Sequence, residues 1–132
     1  MNSHTHFHEL GQQPSAHTVA AHGAARASLP FDDERDFDEA RRGLLAAPGE
    51  RRITADDGKV VWDIGSFDFL LDGQTFESIH PSLQRQALLN MEYGLYEVLP
   101  ERIYQVRGFD IANITFVKGN TGWIVFDPLT MT

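Results

Sequence analysis

An α+β fold is predicted for this chain by three observations. Helical periodicity recurs before Gly94, short β-rich runs take over from Leu95, and a Gly/Asn-rich loop joins the last two of those runs as a hairpin. The 132 residues suffice for one ordinary domain. With 42% hydrophobic and 23% charged residues, the composition is globular, neither disordered nor collagenous.

Residues 1–28 are rich in His, Ala, Gly, Ser and Gln. They hold too few large apolar side chains to offset the entropy of ordering them, so a disordered tail is expected there. Leu29-Pro30-Phe31 is the first apolar anchor and opens a helical segment assigned to residues 29–98. From Asp32 to Ala47, the residues Phe37, Ala40, Leu44 and Ala47 fall on one helical stripe, with Arg41 and Arg42 toward its C-terminal end and Pro48-Gly49 as its stop. The acidic run Asp32-Asp33-Glu34 with Asp36 reads as a solvated helix start.

Past Ile53, the Asp57-Gly58 turn precedes a strand over Lys59–Trp62. Phe67, Phe69, Leu70 and Leu71 make an apolar knot that fits an irregular segment or one helical turn. A second helix starts at Pro81, carries Leu83, Ala87, Leu88 and Met91 on one side, and is stopped by Gly94.

Strands are expected over Leu95–Val98 and Ile103–Val106, around Pro100-Glu101, and over Ile111–Val117 and Trp123–Phe126, around Lys118–Gly122. Trp123-Ile-Val-Phe126 has no polar alternation, so both of its faces are expected to be covered. Only the two upstream helices are at hand to cover them, so residues 99–132 read as the truncated start of a larger domain.

The formal charge of −8 is concentrated in residues 29–77, which hold 13 acids and 6 bases. No basic stripe offsets them, which argues against nucleic acid as a partner. There are no cysteines, which excludes disulfides and thiolate metal sites and leaves the redox compartment open. No apolar run reaches the length of a membrane span, and Met1–Leu10 lacks the basic start and apolar core of an export signal. The location is unassigned, cytoplasmic by default.

The segment Ile103-Tyr-Gln-Val-Arg-Gly-Phe-Asp110, followed by the hairpin that ends in Gly122-Trp-Ile-Val-Phe-Asp127, resembles the opening of the catalytic domain of alkyl sulfatases in the metallo-β-lactamase superfamily. Upstream, Asp36-Phe-Asp-Glu-Ala-Arg-Arg-Gly43, Val60-Val-Trp-Asp63, His80-Pro-Ser-Leu-Gln-Arg-Gln-Ala87 and Leu89-Asn-Met-Glu-Tyr-Gly-Leu-Tyr96 fit the same family. The likeness runs over about residues 31–130. The Gly-x-x-Gly-Trp-Ile-Val-x-Asp hairpin recurs across the wider superfamily; the other two signatures, Tyr104 to Asp110 and the helix from His80, are more specific.

The resemblance implies an N-terminal helical segment leading into the first β-hairpin of an incomplete αββα sandwich. It also implies a hydrolase of alkyl sulfate esters, long-chain detergents among them, with two zinc ions and a homodimer in the full-length family. The family's metal motif, His-x-His-x-Asp-His, does not occur here. No catalytic or metal-ligating residue is assigned, substrate-binding residues stay open, and the chain alone is expected to be inactive. The alternative is a non-catalytic truncated module that self-associates, or pairs with a full-length relative, through an exposed sheet edge.

His4-Thr-His6-Phe-His8-Glu9 imitates the spacing of the family's metal loop, but no strand precedes it and it lacks the Asp-His pair, so it reads as tail, together with His17 and His22. His80 suits helix entry and capping, with no partner for acid–base work. Asn113 and Thr115 suit cross-strand hydrogen bonding. Asp127 suits a turn cap. Arg107 fits either an anionic ligand or backbone carbonyls at a strand exit. Trp62, Phe67, Phe69, Tyr93, Tyr96 and Trp123 are assigned to packing.

Overall fold

The computed structural model describes residues 13–128. The His4–Glu9 run therefore lies outside the described residues.

The expected tail is helical in part: α1 spans Ala16–Ser28 and is capped by Ser15, whose side chain accepts from the Thr18 amide. Alanine supplies six of its thirteen residues, and a run of good helix formers needs little burial once one face finds a partner. That partner is α3, Pro81–Leu89.

The helix expected over Asp32–Ala47 is cut short. α2 covers only Arg35–Arg41, and Leu44–Ala46 is a strand, β1. The break is Gly43, which takes φ +80°, a left-handed conformation that favours glycine. Its carbonyl accepts from the Glu97 amide at 2.7 Å, and any Cβ there would collide with the Glu97 carbonyl oxygen. Ladder pairing with β4 thus overrides the helical stripe through Leu44 and Ala47.

A small hairpin follows: β2 (Arg52–Thr54) and β3 (Val60–Asp63) pair antiparallel around the Asp57-Gly58 turn, where the Asp57 carboxylate accepts from the Lys59 amide. The apolar knot is a 3₁₀ segment over Ile64–Asp72, ended by Gly73 in the left-handed region. α3 carries Pro81 at its first position and closes at Asn90, so Met91 lies past its end. Gly94 opens a strand instead of stopping the helix.

Five strands make the main antiparallel sheet, in the order β1-β4-β5-β6-β7. β4 is Gly94–Leu99, β5 Ile103–Arg107, β6 Ile114–Lys118 and β7 Trp123–Phe126. The turn at Pro100-Glu101 and the Gly119–Gly122 loop both fall where the sequence puts them, the latter closed by a Gly119 amide to Gly122 carbonyl bond of 2.8 Å. β4 continues through residues 98 and 99, with a register irregularity between Glu97 and Leu99.

Register fixes the faces. Leu44, Tyr96, Gln105, Thr115 and Phe126 lie in one cross-strand row. The neighbouring row, on the opposite face, holds Tyr104, Phe116 and Val125. Tyr96 is completely buried, and Ile64, Leu70 and Phe76 form a second small core beside α3.

Candidate functional site

A bonded polar cluster lies where β5 leaves the sheet. Strand alternation puts Gln105 and Arg107 on the same face as Tyr96. The Arg107 guanidinium lies over the Tyr96 ring, 4.2 Å from its centroid. It also donates through Nε to Gln105 Oε1 at 2.6 Å and through Nη1 to the Ala40 carbonyl at 3.2 Å. Of the two uses the sequence allows for Arg107, the backbone carbonyl is the one observed. Gln105 Nε2 in turn meets Thr115 Oγ1 at 3.0 Å, the cross-strand bond expected of Thr115.

Tyr96 is an unusual member of this cluster. Its hydroxyl is shielded from solvent without a hydrogen-bond partner, and burial pushes its pKa up, with the Glu92 charge adding to the rise and Arg107 and Arg41 opposing it. Glu92 is itself held by Arg41 at 2.8 Å. A neutral buried phenol of this kind packs; it does not take up protons.

Beside the cluster is a half-open groove of about 520 Å³ between Trp62, Phe67, Met91, Arg107 and Asn113. Trp62 ties the β2–β3 hairpin to the sheet through a 2.9 Å bond from Nε1 to the Gly108 carbonyl. Asn113 precedes β6 and sits exposed on the groove rim instead of in the ladder. Asp63, Glu92 and Asp110 also line the groove, so it carries more acid than base. The groove offers apolar walls and one guanidinium with two of its three nitrogens committed, and no acid–base pair.

The other candidates fall as follows. His80 caps α3, its Nδ1 accepting from the Ser82 amide at 3.2 Å, as expected of a helix-entry residue. His22, assigned to the tail, instead docks its Nδ1 on the Glu77 carbonyl at 2.8 Å. Asp127 is exposed and takes φ +52° directly after β7. Among the aromatics, Tyr96 is buried and Trp62, Phe69 and Tyr93 half-buried, but Phe67 and Trp123 are 55% and 54% exposed and are not core in this structure.

The acids at the start of α2 are surface groups. Asp33 accepts from the amide and side chain of Arg35, and the Arg35 hydrogen bonds hold its carboxyl down at about 2. Among the described residues no three His, Asp or Glu side chains are gathered in a way that could hold a metal ion. No helix there is long and apolar enough to cross a membrane.

Gln105 and the Trp62–Gly108 link escape a reading of residue types alone. The only signal available for Gln105 is its two-residue spacing from Arg107, which places both on one face of a strand.

No family model matches the chain. Over 116 residues it is 44% identical to an (R)-specific secondary-alkylsulfatase from Pseudomonas sp., a match covering 88% of this chain and 17% of that protein. Over 120 residues it is 41% identical to an alkyl/aryl-sulfatase from Saccharomyces cerevisiae, covering 91% of this chain and 18% of the relative. Among solved structures, that of a stereoselective inverting sec-alkylsulfatase from Pseudomonas sp. matches with a TM-score of 0.77 at 43% identity, over 86% of this chain and 18% of that one. The chain therefore spans less than a fifth of the length of these relatives. By sequence and by fold alike, it belongs to the alkylsulfatases as the counterpart of that limited part of them.

Proposed function

We propose that this chain is the N-terminal part of a zinc-dependent alkylsulfatase of the metallo-β-lactamase superfamily. The whole protein adds water to an alkyl sulfate ester, giving the alcohol and hydrogen sulfate, works with two zinc ions and forms a homodimer. The observation that carries this reading is the combined likeness: 44% identity to a secondary-alkylsulfatase and a TM-score of 0.77 to a solved one. The described residues do not fit a zinc pair, since no cluster of potential ligands forms among them. No catalytic step is assigned to them.

Their part is architectural. Arg107, stacked on Tyr96 and bonded to the Ala40 carbonyl, pins the end of α2 to the first sheet of the αββα sandwich. The segment 29–98 supplies α2 and α3 and also β1 and most of β4 of the main sheet, which residues 99–128 continue.

A chimera tests this. Residues 31–128 of this chain replace the matching stretch of the Pseudomonas secondary-alkylsulfatase, and sulfate release from a secondary alkyl sulfate is measured with zinc present. The chimera is expected to turn over, and the isolated chain to stay at the metal-only background. A folded but inert chimera, or turnover by the isolated chain, contradicts the proposal.

A second reading is favoured by one observation: all four residues of the edge strand β7 are exposed. Such an edge can recruit a strand from another copy or from a longer relative. Sedimentation over a range of concentrations tests this; a chain that stays monomeric at every concentration eliminates self-association.

A further inference from the structure

We infer that His22 and His80 form a pH-sensitive latch, which holds α1 on the start of α3 at neutral pH and releases it in acid. The two rings meet edge to face, with centroids 5.3 Å apart and planes at 84°. Each ring nitrogen facing the backbone has a fixed role. The Glu77 carbonyl can only accept, so His22 Nδ1 carries its proton. The Ser82 amide can only donate, so His80 Nδ1 is bare.

Those roles respond differently to acid. A charged His22 keeps its bond to Glu77. A charged His80 presents a proton to the Ser82 amide, loses the cap, and sets a positive charge at the positive end of the α3 dipole. Histidine is the side chain whose charge changes in the mildly acidic range. Two imidazolium rings at the observed separation also repel each other.

The surrounding charges decide whether this repulsion is neutralised. α1 brings His17 and Arg26, and Arg26 is one turn from His22 on the same side, with a terminal nitrogen shielded from solvent and unpaired. α3 brings Arg85, which is engaged with the Phe31 and Asp33 carbonyls and with Asp36 of α2. The 3₁₀ segment brings Asp68, paired with Arg51, and Asp72, and the stretch before α3 brings Glu77. No ion pair is formed between a carboxylate and either histidine among the described residues, whereas the nearest fixed charge along α1 is a cation.

Hydrogen exchange on the full chain at about pH 7.5 and about pH 5, corrected for intrinsic rates, tests the latch. Protection over Ala16–Ser28 is expected to fall about tenfold in acid, the scale of repulsion between two like charges at that ring separation near the surface, while β4–β6 keep theirs. His80→Asn preserves an acceptor at the cap and cannot charge, so it is expected to abolish the pH difference. His22→Gln keeps a donor for the Glu77 carbonyl and is expected to shrink the difference by removing the ring–ring repulsion. The inference is overturned by equal α1 protection at both pH values, by an undiminished difference in either folded variant, or by loss of sheet protection together with that of α1.

Discussion

Replacing Gly43 by alanine should be among the costliest single-methyl additions to this chain. Gly43 takes φ +80°, which costs an alanine roughly 1–2 kcal/mol. The new Cβ meets the Glu97 carbonyl oxygen, a backbone atom that cannot rotate away, and overpacking of that kind costs about 1–3 kcal/mol more. Moving Gly43 aside to relieve the clash gives up its 2.7 Å bond from the Glu97 amide, so one cost is exchanged for another. The net loss should be about 2–5 kcal/mol. At an m value of roughly 1.5 kcal/mol/M, the urea midpoint falls by roughly 1–3 M. Urea titration followed by tryptophan fluorescence measures this, with Gly49→Ala as the control, because a Cβ at Gly49 meets nothing within 4 Å. Gly49→Ala should stay within about 0.5 kcal/mol of the parent. Coincident midpoints for the two variants would refute the argument that Gly43 forces the helix to end and β1 to begin.

Three further expectations follow from single observations. Tyr96→Phe removes a buried hydroxyl that has no partner and should leave stability unchanged or raise it by about 1 kcal/mol, read from the same urea curves; a clear loss would mean that the hydroxyl is bonded after all. Asp33 has a depressed folded pKa of about 2, so its contribution is present above the unfolded carboxyl value and is lost as pH falls through about 2. Asp33→Asn should therefore differ from the parent near neutrality and converge with it at the acid end of a pH–stability series, the gap staying small because the pair is exposed. Trp123→Lys should raise the solubility limit of the isolated chain with little effect on its melting temperature, since Trp123 is 54% exposed; a large fall in melting temperature would show that its contact with Tyr104 stabilises the sheet.

What could be read from the sequence was local. Pro81 and His80 mark the start of α3, Pro100-Glu101 and Gly119–Gly122 mark turns, and each lies where expected because turn and cap chemistry acts over a few residues. What could not be read was long-range pairing. Leu44 continues a helical stripe, yet β4 captures it together with Ala46 from about fifty residues away, and only the positive φ of Gly43 records the switch. His22 carried no signal at all, because its docking depends on where the start of α3 ends up in space. The Arg107 site was half legible: its two alternatives were chemical, and the nearby Ala40 carbonyl selected between them.

Burial shows most clearly where sequence reasoning stops. Tyr96 and Trp123 are both aromatic residues in apolar strand segments, and both suit a core. Tyr96 is fully buried because α2 reaches over its face through Arg107, whereas Trp123 stands on the opposite face, beside an uncovered apolar hollow shared with Leu95, Tyr104, Phe116 and Val125. Cover is greatest at the inner strand β4 and falls through half-buried β5 and β6 to a fully exposed β7, and the other edge strand, β1, is exposed as well. The strand whose sequence most demands two covered faces is thus exposed at every residue. A run without polar alternation states a requirement for cover, and α2 meets the sheet at Arg107 of β5, two strands away from β7. That mismatch is the physical argument behind the proposal that these strands form the first layer of a larger sandwich.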